Sequence, residues 1–110
     1  LLKKRQHTAF FAENDEVALG IVKAAMELEI EIPQQLSIVG FDDSFTASFS
    51  PVPLTTIRQD IEKVVHSAFK ILTAQIEGPV KVSHETVPPE LVVRSSTGPC
   101  PESERQGTET

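Results

Sequence analysis

At 110 residues, with 39% hydrophobic and 24% charged side chains, the chain has the size and balance of one small globular domain with a single core, or of a piece of a larger one. A net charge of -6 with no Trp and no Tyr argues against this stretch holding nucleic acid, which requires clustered Lys and Arg and favours aromatic stacking platforms. The lone Cys100 cannot close an internal disulfide, the apolar runs are too short to cross a bilayer, and the basic start (LLKKR) lacks the apolar stretch of a secretory signal, so a cytoplasmic location is expected.

Residues 8 to 12 (TAFFA) are apolar and closed by Glu13-Asn14-Asp15, which reads as a buried strand. From Asp15 the period changes. Val17, Ala18, Ile21, Val22, Ala25 and Met26 recur at helical spacing up to about Glu29, and Pro33 marks the break. Residues 36 to 41 (LSIVGF) form a second apolar strand, closed by Asp42-Asp43; burial on both faces is expected of a strand in a parallel sheet. Strand, helix and strand within this span match a right-handed βαβ crossover, and the fold class is α/β, a parallel sheet flanked by helices.

A serine- and proline-rich loop over residues 44 to 53 leads into a short extended segment, 54 to 57 (LTTI). Ile61, Val64, Val65, Ala68, Phe69, Leu72 and Ile76 then make the strongest helical stripe in the chain, with Asp60 at its start and Gly78-Pro79 stopping it. Residues 80 to 87 alternate weakly, Pro88-Pro89 forbids ladder pairing, and residues 91 to 94 (LVVR) can form a last strand. From Ser95 onward the polar, Pro- and Gly-containing sequence reads as disordered.

In an open parallel sheet, ligands bind at the carboxyl ends of the strands. Two such ends carry polar side chains, Glu13-Asn14-Asp15 and Asp42-Asp43, suited to hydrogen bonding with a sugar or other polyol. The same residue types are helix caps, and Asn14 or Asp15 can cap the following helix. Neighbouring residues in extended chain point to opposite faces, so Asp42-Asp43 is not a paired-carboxylate acid/base site; one inward and one outward carboxylate is expected. His7, His66 and His84 have no metal spacing and read as surface or packing residues; no metal site is expected. The scattered glycines build no phosphate loop and no serine sits in a nucleophile elbow, so neither a catalytic residue nor a cofactor is expected.

The segments FFAENDEVALG (residues 10 to 20), IPQQLSIVGFDD (32 to 43), PLTTIRQD (53 to 60) and ELVVRSST (90 to 97), in this order and spacing, resemble the LacI/GalR family of bacterial transcription repressors. Periplasmic sugar-binding proteins share the ND and GFD-like segments, and a transport receptor is the alternative reading; PLTTIRQ joined to LVVRSST is more similar to the cytoplasmic regulators. The resemblance implies the carboxy-terminal part, residues 1 to 97, of a type I periplasmic-binding-protein-like effector domain, with a disordered tail over 98 to 110. It implies that the helix over 60 to 76 belongs to the amino-terminal lobe. Asn14 and Asp42 are the implied effector contacts, with Phe41, Gln59 and Ile61 near the pocket. Val17, Leu19, Ile21, Val22, Phe49, Ser50 and Pro51 are implied at a homodimer interface, although the four helix residues can equally be core. The implied protein is not an enzyme, binds a small effector such as a sugar, and reaches operator DNA only through an amino-terminal domain absent from this sequence. A fragment of this kind is expected to be marginal and prone to associate.

Overall fold

The computed structural model describes residues 2, 7–79 and 81–102; the basic run at 3 to 5 and the end of the expected tail, 103 to 110, lie outside the described residues. The chain divides into two units: unit 1 carries the residues up to Arg58 and from Leu91 on, and unit 2 is Gln59–Glu90.

Unit 1 opens with strand β1 (Ala9–Phe11), helix α1 (Asp15–Glu27) and strand β2 (Ser37–Val39), with β1 and β2 paired in parallel, Phe10 opposite Ile38. This is the expected βαβ crossover. β1 is not the buried strand that its composition suggests: Ala9 and Phe11 are exposed and Phe10 is half-buried, because β1 has β2 on one side and no strand on the other among the described residues. Phe10 packs edge-on against His7, with ring centroids 5.9 Å apart. β2 is shorter than the apolar run, and of its residues only Ile38 is fully buried.

α1 starts where Asn14 adopts an extended backbone and its side-chain Oδ1 accepts the Val17 N–H at 2.9 Å. That bond satisfies one of the donors a helix start leaves open, and Asp15 and Glu16 suit the positive end of the helix dipole. The buried face is Asp15, Ala18, Val22 and Ala25, so small side chains let α1 lie close on β2. The helix ends in a Schellman arrangement: the Ile30 N–H reaches the Ala25 carbonyl at 2.8 Å, the Glu29 N–H reaches that of Met26, and Glu29 takes a left-handed φ of 56°.

After β2 the chain makes a 3-10 turn (Phe45–Ser48) and then strand β3 (Thr56–Arg58). A parallel bridge between Val39 and Thr55, with the Gly40 N–H on the Thr55 carbonyl and the Asp42 N–H on that of Ile57, draws this segment alongside β2. Strand β4 (Glu90–Val92) pairs with β3 and ends before the expected LVVR run does. The core is Ala12, Ala18, Val22, Ala25, Leu36, Ile38, Ala47 and Leu54.

The segment after β4 corrects the expectation of disorder from Ser95. Ser96 is fully buried; its hydroxyl donates to the Ile38 carbonyl at 2.6 Å and accepts the Thr55 N–H at 2.8 Å, while its carbonyl accepts the Ile38 N–H. Thr97 meets the Thr55 hydroxyl, and the Gly98 N–H donates to Ser37 Oγ. Small hydroxyls that look like tail composition supply the hydrogen bonds β2 and β3 lack.

Unit 2 is dominated by helix α2 (Ile61–Glu77), capped by Asp60, whose Oδ1 accepts the Lys63 N–H at 3.0 Å. None of its residues is buried, and Ile61, Val65, Phe69, Leu72 and Ile76 of the expected apolar stripe are exposed. Among the described residues, no helix is long and apolar enough to cross a membrane.

Candidate functional site

The carboxyl ends of β1 and β2 form one rim. Asn14 follows β1 and Asp42 follows β2, and since the strands are parallel and in register both residues leave the sheet at the same end. The rim is stitched by the Ala12 N–H on the Val39 carbonyl at 2.8 Å and the Asp15 N–H on the Phe41 carbonyl at 2.9 Å. Of the expected effector residues, Asn14 and Phe41 are half-buried and Asp42 is exposed here, whereas Gln59 and Ile61 belong to unit 2. Asn14 caps α1 through its Oδ1, and its amide nitrogen takes no part in that bond.

Beneath the rim, sequence reasoning missed a polar network. Asp15 is 1% exposed; its Oδ1 accepts the Thr56 hydroxyl at 2.5 Å and its Oδ2 accepts the Ser44 N–H at 2.6 Å. Such a buried carboxylate is tolerable because both oxygens are met by donors. Thr56 Oγ1 also accepts the Asp43 N–H at 3.3 Å. Gly40 lies against this group: a Cβ there would come within 2.3 Å of Asp15 Oδ1 and 2.9 Å of a Leu54 methyl, so the start of α1 and the end of β2 approach only over a glycine.

Asp42 and Asp43 both have left-handed backbone, with φ of 106° and 53°. For residues with a Cβ this conformation is uncommon, and where surrounding structure holds it, it often marks a functional turn. Asp43 is the inward carboxylate of the doublet and Asp42 the exposed one, though the two sit in a left-handed turn and not in the extended chain from which alternation was expected. Asp43 Oδ2 accepts from Arg58 Nε at 2.7 Å and its Oδ1 from Arg94 Nη2 at 2.6 Å. Burial pushes the Asp43 carboxyl up, but the hydrogen bonds and positive charge of Arg94 and Arg58 outweigh it and hold the group below its ordinary value. Both arginines stand inside the motifs PLTTIRQD and LVVRSST, yet they lie 15 and 51 residues from Asp43, and no periodicity connects them.

On another face of unit 1, an apolar groove of about 480 Å³ runs between α1 and the 3-10 turn, lined by residues that include Leu19, Met26, Phe45, Phe49 and Pro51. Phe45 and Phe49 stack 4.9 Å apart and remain 81% and 73% exposed. Of the expected interface residues, Val17, Phe49 and Pro51 are exposed, and Leu19, Ile21 and Ser50 are half-buried. Val22, at 2% exposure, is a core residue, because its spacing from Ala18 and Ala25 turns it toward β2.

The model of the periplasmic binding protein-like domain matches residues 1–97. The HTH-type transcriptional regulator MalR of Streptomyces coelicolor is 40% identical over 98 residues, which cover 88% of this chain and 28% of MalR. Among solved structures, the lac repressor dimer bound to operator and the anti-inducer ONPF aligns with a TM-score of 0.76 and 32% identity over 82% of this chain and 32% of that one. A LacI family regulator from Lactobacillus casei with bound sucrose aligns with a TM-score of 0.68 and 26% identity, over 82% of this chain and 33% of its own. The fold is that of a periplasmic-binding-protein-like domain. The chain belongs to the LacI/GalR family of transcriptional regulators, as the carboxy-terminal part of that domain, and spans about three-tenths of the relatives it matches.

Proposed function

We propose that this chain is the effector-sensing and dimer-forming part of a cytoplasmic, sugar-responsive transcription repressor that performs no chemistry. The observation that carries the reading is the shared rim: Asn14 and Asp42 leave adjacent parallel strands at the same end, with Asp42 held in a left-handed turn. An amide and a carboxylate together donate and accept hydrogen bonds, the pattern a polyol matches, and the relative from Lactobacillus casei holds sucrose. Phe41 is read as the wall behind them. In this reading α2 belongs to the amino-terminal lobe, and its apolar stripe meets the remainder of that lobe.

The groove at Phe45 and Phe49, lined also by Leu19, Ser50 and Pro51, is read as the surface for a second copy, with Val17 and Ile21 of α1 as further contacts in this reading; the neighbouring lac repressor is a dimer. Operator contact falls to a separate amino-terminal domain. The effector acts by binding one lobe arrangement better than the other, which shifts the population and so the placement of the DNA-binding heads.

The test is calorimetric titration of the full-length protein with a sugar panel that begins with glucose and sucrose. Asn14→Ser keeps a good helix cap but removes the amide, and Asp42→Ala removes the carboxylate. Asp42→Ala, which removes a charged acceptor, is expected to weaken binding by about 10–100-fold, and Asn14→Ser, which removes a neutral donor, by about 2–10-fold. Unchanged affinity in both variants refutes the pocket. Sedimentation of Phe49→Asp is expected to show monomer; an intact dimer removes the groove from the interface.

A further inference from the structure

We propose that Asp43 is a positioning residue: its carboxylate latches the turn that carries Asp42 to the end of β3, by which the chain leaves unit 1, and to the segment just after β4, by which it re-enters. Arg58 is the last residue before the chain departs into unit 2, and Arg94 comes just after it returns at Leu91. Asp43 holds one with each oxygen, at 2.7 and 2.6 Å, with its own side chain only 10% exposed.

These are not two loose surface pairs. Arg94 is 19% exposed and anchored at further points: Nη1 donates to the Leu54 carbonyl at 2.9 Å and its backbone N–H to Thr55 Oγ1 at 2.9 Å. The Asp43 N–H reaches Thr56 Oγ1, so one residue ties the turn to β3 through both its backbone and its side chain. Arg58, 49% exposed, is the weaker arm. The latch has something to hold, since two successive residues with a Cβ stand in left-handed backbone, a conformation that aspartate tolerates singly but seldom in succession. Movement of either crossing segment and release of the turn are thereby a single event. The consequence for effector binding rests on the reading of Asp42 given above.

Hydrogen exchange followed by mass spectrometry on the full-length protein tests the latch without any ligand. Asp43→Asn removes the charge from both pairs but keeps a side chain that tolerates left-handed backbone. Exchange is expected to rise roughly tenfold in peptides over residues 40 to 46, 55 to 59 and 91 to 96, while α1 stays as in the wild type. Arg94→Met is expected to do the same, and Arg94→Lys to recover part of the protection. No rise over 40 to 46, or an equal rise in α1 that marks general loosening, overturns the proposal. Raised exchange in Asp43→Asn together with unaltered sugar affinity in Asp42→Ala refutes the effector role alone; lost affinity in Asp42→Ala with unaltered exchange in Asp43→Asn refutes the latch alone.

Discussion

Gly40→Ala inserts a methyl group where the end of β2 meets the start of α1, and its cost can be worked from the contacts. The new Cβ would stand 2.3 Å from Asp15 Oδ1, 2.9 Å from Leu54 Cδ2 and 3.3 Å from Asp15 Cα. The leucine methyl can rotate away. Asp15 cannot move freely, because Thr56 and Ser44 hold its two oxygens and its backbone N–H is fixed to the Phe41 carbonyl. Either α1 shifts, an overpacking cost of about 1–3 kcal/mol, or the carboxylate leaves and strands a buried hydroxyl and N–H at about 1–3 kcal/mol each. The cheaper response sets the expected loss at about 1–3 kcal/mol, a substantial share of the roughly 5–15 kcal/mol that keeps a typical domain folded. Urea unfolding of the full-length protein, monitored by the transition of the effector domain, measures it. A double-mutant cycle identifies the partner: on an Asp15→Ala background the added methyl meets no carboxylate, so the double variant should be more stable than the sum of the singles by about 1 kcal/mol or more. A Gly40→Ala cost below about 0.5 kcal/mol, or strict additivity, refutes the close approach.

Glu29→Gly is expected to stabilise the protein by about 1 kcal/mol, because glycine takes the left-handed helix-end position without the Cβ penalty; a lower urea midpoint would contradict the Schellman ending. The Asp43 carboxyl is held below its ordinary value in the folded protein, so its contribution is complete above the unfolded pKa of about 3.9 and fades as pH falls toward the lower folded one. Wild type should therefore lose stability more steeply than Asp43→Asn below about pH 4, and superimposable acid limbs would deny the ion pairs any role. The 110-residue chain alone, with the stripe of Phe69, Leu72 and Ile76 exposed, is expected to self-associate at micromolar concentration, and Phe69→Glu with Leu72→Glu to reduce this; sedimentation that shows a monomer in both cases would contradict it.

The helices and the parallel pairing were legible because local physics decides them. Asn14 and Asp60 as caps, the spacing of Ala18, Val22 and Ala25, and the apolar stripe of α2 are statements about residues three or four positions apart, which one strand of sequence displays. From β1, α1 and β2 in that order, the common rim for Asn14 and Asp42 follows from the parallel direction that a helical crossover gives the two strands. Solvent exposure was less legible. Phe11 and Val22 are both apolar residues in apolar runs, but one is an edge residue facing out and the other is core, a difference set by which neighbours the chain brings up.

What composition and period determined by themselves is an α/β chain, a polar strand-end rim, and a net negative charge that argues against nucleic-acid binding. Only the tertiary structure decided that Ser96 completes the hydrogen bonding of β2, that Asp15 is buried on Thr56 and Ser44, and that Asp43 joins Arg58 to Arg94. The physical reason is range. A cap or a stripe is stabilised by neighbours along the chain, whereas a buried hydroxyl or carboxylate is tolerated only when partners tens of residues away arrive at hydrogen-bonding distance, and folding alone makes those appointments.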